Sequence, residues 1–250
     1  MISIRVGLGA LIATCACMAG SVSAAEVRVL SSNAMREVLL DAAPQFEKTS
    51  GHKVSMEFVG SVDILKRVRS GDKSADLIVL QVSSIDELAA EGLVLKGSRV
   101  DFARSLVGAA VRSGAPRPDI SSVDALKRTL LAAKSVVVSS GPSGVHMLGL
   151  FERMGIPRER YTQAKPGVQT GLLVARGEAE LCFQQVSELL PVKGIDFLGP
   201  LPADVGHVTV FAGGLHSAMV DAQAARALMQ YLVSSAAAPV LKVKGMEPAK

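Results

Sequence analysis

Three short stretches of this 250-residue chain set hydroxyl groups, two of them beside glycine, at points where a strand gives way to a helix. In the middle lies Ser139-Ser140-Gly141-Pro142-Ser143-Gly144, preceded by Val136-Val137-Val138 and followed by Val145, Leu148 and Phe151 at helical spacing. Near the start, Val27-Arg28-Val29-Leu30 runs into Ser31-Ser32-Asn33-Ala34, then Met35, Val38, Leu39, Ala42 and Phe46 in the same rhythm. Between them, Lys53 to Phe58 leads through Gly60-Ser61 to Ile64, Leu65 and Val68. A strand–turn–helix of this kind aims unpaired backbone N–H groups and the positive end of a helix dipole at whatever lies above it. The chemistry this offers is anion binding, with Ser31, Ser32 and Asn33 also placed to cap a helix.

Covalent chemistry finds less support. Gly141-Pro142-Ser143-Gly144-Val145 puts a serine after a strand, but the second glycine of a nucleophile elbow would fall on Val145. His52, His146, His207 and His216 stand apart from one another and from any cysteine or carboxylate at metal-ligand spacing, so no catalytic residue, metal or cofactor is expected. His146 reads as a partly exposed structural histidine, Cys182 in Leu181-Cys182-Phe183 as a buried thiol, Arg36 and Lys66 as solvated charges, and Ser187, Glu188 and Asp204 as cap or turn residues. Gln184 and Gln185 end a strand, where successive side chains point to opposite faces, so one of them at most should meet a ligand.

The elements that must carry these turns alternate in type. Asp76 to Leu80 is a third strand with the continuous apolar character of a sheet covered on both faces, and Ser84 to Glu91 a helix stopped by Gly92. Beyond Pro118, the helix at 123–133, the valine strand and its helix, a helix at 168–176, and strands at 180–184 and 195–198 form a second block. Apolar extended runs at 106–111 and 208–214 bracket that block, and helices follow at 221–233 and 236–243. The pattern predicts an α/β chain of two lobes, residues 25–105 with 213–250 and residues 106–212. Each lobe is an open, mostly parallel sheet flanked by helices, and two crossover strands form the hinge.

Residues 1–24 read as an export leader: Arg5 is the one charge before Glu26, Val6 to Ala19 is apolar and small, and Val22-Ser23-Ala24 or Ser23-Ala24-Ala25 fits a small-x-small cleavage rule. Thr14 before Cys15 favours ordinary cleavage over lipid attachment. Of the three cysteines, Cys15 and Cys17 lie in this leader, which leaves Cys182 without an internal disulfide partner. A net charge of +4 spread among acids, with no tryptophan and no basic stripe, argues against nucleic acid as a partner.

Several motifs in their order resemble the periplasmic solute-binding proteins of ABC importers, specifically the molybdate-binding type. They are Ser31-Ser32-Asn33-Ala34-Met35, Phe58-Val59-Gly60-Ser61, Ser70-Gly71-Asp72-Lys73-Ser74-Ala75-Asp76-Leu77, Arg176-Gly177-Glu178-Ala179-Glu180 and Gly245-Met246-Glu247-Pro248. The resemblance implies a periplasmic, two-lobe protein that closes over a small anion and presents it to a membrane permease; a monomer is expected. By position it implies Ser61 as a serine ligand, Ser143 as a backbone donor and Gly167 or Val168 as another. It also marks two departures: a family serine falls on Ala34, and a family tyrosine is replaced by Gln184 or Gln185. A glutamine both donates and accepts, which suits a small organic acid better than a bare dianion. The expected role is therefore capture of a molybdate-like oxyanion or small organic acid for import, with no enzymatic step; a periplasmic sensing domain is the alternative use of the same fold.

Overall fold

A computed structural model describes residues 24–250; the leader expected at 1–24, with Arg5, Cys15 and Cys17, lies outside the described residues but for Ala24. The first half runs β1 (Glu26–Ser32), a single 3₁₀ turn at Asn33–Met35, α1 (Arg36–Ser50), β2 (Lys53–Val59), α2 (Ser61–Arg69), β3 (Leu77–Gln81) and α3 (Val82–Ala90). There follow β4 (Val100–Arg112), α4 (Val123–Ala132), β5 (Val136–Val138), α5 (Pro142–Met154), β6 (Tyr161–Gln163), α6 (Thr170–Ala175), β7 (Leu181–Gln185) and α7 (Val186–Leu189). The chain closes with β8 (Ile195–Pro200), β9 (Val208–Leu215), α8 (Ala222–Leu232), α9 (Ala238–Val243) and β10 (Met246–Pro248).

The strands lie in the order β2-β1-β3-β9-β4-β7-β5-β6, with β8 and β10 also paired to β4. β1 is parallel to β2 and β3, β5 is parallel to β6 and β7, and the joints between these two trios are antiparallel. β4 is the seam. Its residues Val100 to Leu106 pair with β9, and Val107 to Val111 pair with β7. The buried apolar residues divide at the same place. Val27 through Ala103 and Phe211 through Met246 supply two core clusters, Val107 through Leu201 supply two others, and no cluster draws on both sets. Phe211 and Ala212, assigned to the second lobe from sequence, pack with the first.

Some local expectations change. The strand expected at 106–111 is thirteen residues long, and alternation in burial over Ala103 to Leu106 hides its first half from a search for continuous apolar runs. The helix expected from Val168 starts at Thr170, and the short β6, α7 and β10 have too few residues to show a period. Ser122 caps α4 by accepting from the Ala125 N–H at 3.1 Å, whereas Ser32, at the head of the 3₁₀ turn, makes no side-chain cap bond.

A buried carboxylate ties the first lobe together. Asp76 accepts from Arg28 Nε at 3.0 Å, Arg28 Nη2 at 2.8 Å and the Arg28 and Val220 N–H groups at 3.0 and 2.8 Å, joining β1, the start of β3 and the segment after β9. Burial pushes its pKa up, but the Arg28 guanidinium and the two N–H donors outweigh burial and hold it below the ordinary value. Asp76→Ala strips these donors of their acceptor and should cost about 3 kcal/mol by denaturant titration at neutral pH. Because the folded pKa is depressed, the wild type loses this advantage as pH falls through the carboxylate range, and the two unfolding curves should converge there.

Candidate functional site

The strand–turn–helix stretches meet. One cavity of about 40 Å³ is lined from the first half by Ser32, Asn33 and Ala34 after β1, by Gly60 and Ser61 at the head of α2, and by Phe211. From the second half come Ser139 to Ser143 at the head of α5, Gly167 and Val168 before α6, and Gln184, Gln185 and Glu188 at the β7–α7 junction. Of the residues expected to bind ligand, only Ser31 and Gly144 lie off it.

Both exceptions have plain causes. Strand alternation turns Ser31 away from Ser32, and its hydroxyl, fully buried, donates to the Ser32 carbonyl at 3.1 Å. The Gly144 N–H donates to Ser139 Oγ at 3.1 Å, and a Cβ at Gly144 would stand 1.6 Å from the Ser139 carbonyl oxygen. That glycine lets the turn close; it is not a free donor. Ser139 Oγ also meets Ser143 Oγ at 2.8 Å, fixing both hydroxyls. Of the Gly167–Val168 pair, Val168 gives its N–H to the Lys165 carbonyl at 3.1 Å, and no such bond occupies Gly167 among the described residues.

Gln184 and Gln185 both line the cavity, against the expectation that alternation would exclude one. The strand ends at Gln185 and the chain turns at once into α7, so the alternation stops between them. Gln184 is locked: its Oε1 accepts from the Thr170 N–H at 2.8 Å and the Thr170 hydroxyl at 2.7 Å, which turns its Nε2 toward Glu188 Oε1 at 2.8 Å. Gln185 Nε2 donates to Thr209 Oγ1 on β9 at 2.8 Å. Its Oε1 and the Ser32 hydroxyl are buried with no partner among the described residues. An orphaned buried polar group costs about 1–3 kcal/mol, and both of these residues lie on the cavity lining.

Glu188, read from sequence as a cap or turn residue, is the one ionisable side chain on the lining. Burial raises its carboxyl pKa to about 7, against the smaller opposing pull of the Gln184 amide. No period marks it, since Gln184 lies in β7 and α7 is only four residues long. Around it α7 packs against β4 and the 3₁₀ turn, and Gly245 approaches so closely that a Cβ there would stand 2.7 Å from Val186 Cγ1. His146 lies elsewhere, its Nε2 2.9 Å from the Val205 carbonyl oxygen and its ring stacked on His207. Cys182 is fully buried, and burial lifts its thiol pKa to about 12, so it supplies no nucleophile near neutrality.

The cradle is thus made of neutral donors, with its positive potential supplied by the N–H groups at the starts of α2 and α5. An oxyanion or carboxylate fits the donors, and a proton can be held at one carboxyl.

Across the cleft, Gly60 touches Gly167: a Cβ on Gly60 would stand 2.6 Å from the Gly167 nitrogen. The Gly60 backbone, φ −66° and ψ 145°, suits any residue. Gly60→Ala should therefore fold normally, with an unchanged unfolding midpoint, yet hold the two sides apart and weaken ligand capture about tenfold or more in calorimetric titration, ~1.4 kcal/mol. Glu188 yields a second expectation. Its folded pKa, about 7, exceeds the ordinary 4.5, so the stability it lends is full below that ordinary value and lost as pH rises through about 7. Glu188→Gln should melt with the wild type in acid and above it at pH 8, as followed by circular dichroism.

Residues 27–247 match the family described as bacterial extracellular solute-binding protein. The chain is 38% identical over 248 residues to a Pseudomonas sp. protein named aconitate isomerase, spanning 96% of this chain and 95% of that one. It is 27% identical over 251 residues to the molybdate-binding protein ModA of Azotobacter vinelandii, with the same shares covered. The sulfate-binding protein SubI of Mycobacterium tuberculosis has the same fold, with a TM-score of 0.73 at 18% identity over 90% of this chain and 88% of that one. This chain accordingly belongs to the family of bacterial extracellular solute-binding proteins.

Proposed function

We propose that this chain, exported behind residues 1–24, takes an unsaturated polycarboxylic acid of the aconitate class into the cleft between its lobes and interconverts the geometric isomers of that acid. The observation that carries the reading is Glu188, a protonatable carboxyl inside an otherwise neutral anion cradle. A bare tetrahedral dianion offers only acceptor atoms; it repels an ionised Glu188 and leaves the orphaned Gln185 Oε1, itself an acceptor, without a donor. An organic acid brings carboxylates for the helix-start N–H groups and a C–H or O–H hydrogen for the Glu188 side. Identity of 38% along the whole chain to a protein named aconitate isomerase supports the same ligand class.

Molybdate or a similar oxyanion is the second reading, favoured by the convergence of Ser61, Ser143 and backbone donors on one small cavity and by the relative named for molybdate. Thermal-shift titration with trans-aconitate, cis-aconitate, tricarballylate, molybdate, tungstate and sulfate separates the two. A ligand at 100 times its Kd adds about 2.7 kcal/mol, a rise of several degrees in Tm. The proposal expects that rise with the aconitates, absent with molybdate and tungstate, and conversion of trans- to cis-aconitate by proton NMR. A shift by molybdate or tungstate alone establishes the second reading instead. Ser61→Ala should weaken whichever ligand binds by ~1–2 kcal/mol, read as a roughly tenfold rise in Kd.

A further inference from the structure

Interconverting cis and trans forms about a carbon–carbon double bond requires that bond to become single for a moment. Two routes are open to a side chain: a nucleophile adds to the double bond and leaves, or a base removes a neighbouring proton so that the double bond moves. The lining holds no thiol, lysine or histidine, and its Ser139 and Ser143 hydroxyls are bonded to each other at 2.8 Å with no base beside them. It holds one carboxyl. Glu188 Oε1 is occupied by the Gln184 amide at 2.8 Å, and no hydrogen bond holds Oε2 among the described residues.

That arrangement is a built one. The Thr170 N–H and hydroxyl both point at Gln184 Oε1, so the amide cannot turn over without setting its NH₂ against two donors. Its N–H is therefore committed to one oxygen of Glu188, and the other is left for the cleft. The elements packed on α7 bring no charge to bear: the 3₁₀ turn and β7 carry no ionisable side chain but Cys182, Asp101 and Arg104 on β4 pair with Arg99 and Glu247, and Arg112 lies beside Gly177. Glu247 on β10 is spent on Arg104, and Lys244 before Gly245 on Asp41. Burial and the Gln184 amide alone set the proton affinity of Glu188, which near neutrality is free to change hands.

We propose that Glu188 is the catalytic acid and base of this cleft, carrying one proton between two carbons of the bound acid, with Gln184 and Thr170 as its positioning residues. This rests on reading the cleft as an aconitate-class site. The Glu188 carboxylate takes a proton from the methylene between a carboxyl group and the double bond. The C–H electron pair becomes the new double bond, and the former π pair passes into the far carboxylate as a dienolate. Its charge rests on oxygens that the N–H groups at the heads of α2 and α5 face. The new double bond lies at the former methylene carbon, so the rotamer in which the acid is held about that bond as the proton leaves fixes whether the product is cis or trans. Glutamic acid then returns its proton to the former vinyl carbon. One C–H bond breaks and one forms, and nothing is oxidised or reduced.

The test uses the leaderless full-length chain, trans-aconitate as the probe, and the variants Glu188→Gln and Glu188→Asp, with circular dichroism to establish that each folds. Glu188→Gln should still show a thermal shift with trans-aconitate while kcat falls ~10²–10⁴-fold. Wild-type kcat should rise with pH to a plateau through about 7. Glu188→Asp, a carboxyl drawn back by one methylene, should keep that rising profile on a lower plateau, which a merely structural role would not produce. A wild-type protein that converts trans-aconitate while Glu188→Gln does so at a comparable rate overturns the Glu188 assignment alone. One that neither binds nor converts it overturns the reading of the cleft, and the assignment with it.

Discussion

The continuity of β4 is the constraint on which the structure depends. A single thirteen-residue strand pairs with β9 over its first half and with β7 over its second, so two separately packed cores share one backbone. Each core satisfies its own hydrophobic demand, and the hydrogen-bond ladder of β4 and β9 fixes how the two face each other. The heads of α2 and α5 then oppose one another because each follows a parallel strand whose carboxyl end opens on the same cleft. The cradle as a whole draws on residues from both lobes.

The cleft that results differs from a plain anion seat by one side chain. Helix starts and hydroxyls make a neutral, directional surface for oxygen atoms, and nothing in that surface requires an acid. Glu188 costs folding stability above the ordinary carboxylate range, since charging it where it is buried is unfavourable. A raised carboxyl on the lining of a cavity is a departure from local consistency of the kind expected at functional sites. The polar orphans at Ser32 and Gln185 have the same character.

Much of this was legible in the residues. The valine run, the serine–glycine turns and the alternation of element types gave the α/β architecture, and Ser32, Asn33, Ala34, Gly60, Ser61, Gly141, Ser143, Gly167, Val168, Gln184 and Gln185 share the cavity. What escaped was of two kinds. Short elements such as α7 lack the length to show a period, so the break in alternation between Gln184 and Gln185 was invisible, and with it the inward turn of Glu188. The direction in which a hydrogen bond is spent also has no sequence signature. Gly144 and Val168 look like donors at helix heads until Ser139 Oγ and the Lys165 carbonyl are seen to occupy them.

The place of α7 bears on how the cleft can move. Gln185 pairs with Val107, where β4 passes from one lobe to the other, and is tied through Thr209 to β9. Glu188 is therefore close to any pivot between the lobes, whereas Ser143 follows β5, one strand beyond β7, and Gly60 follows β2, at the opposite edge of the sheet. In a rotation, displacement grows with distance from the axis. A rotation about that pivot would carry the outer turns through a longer arc than Glu188, whose helix α7 packs on the 3₁₀ turn after β1.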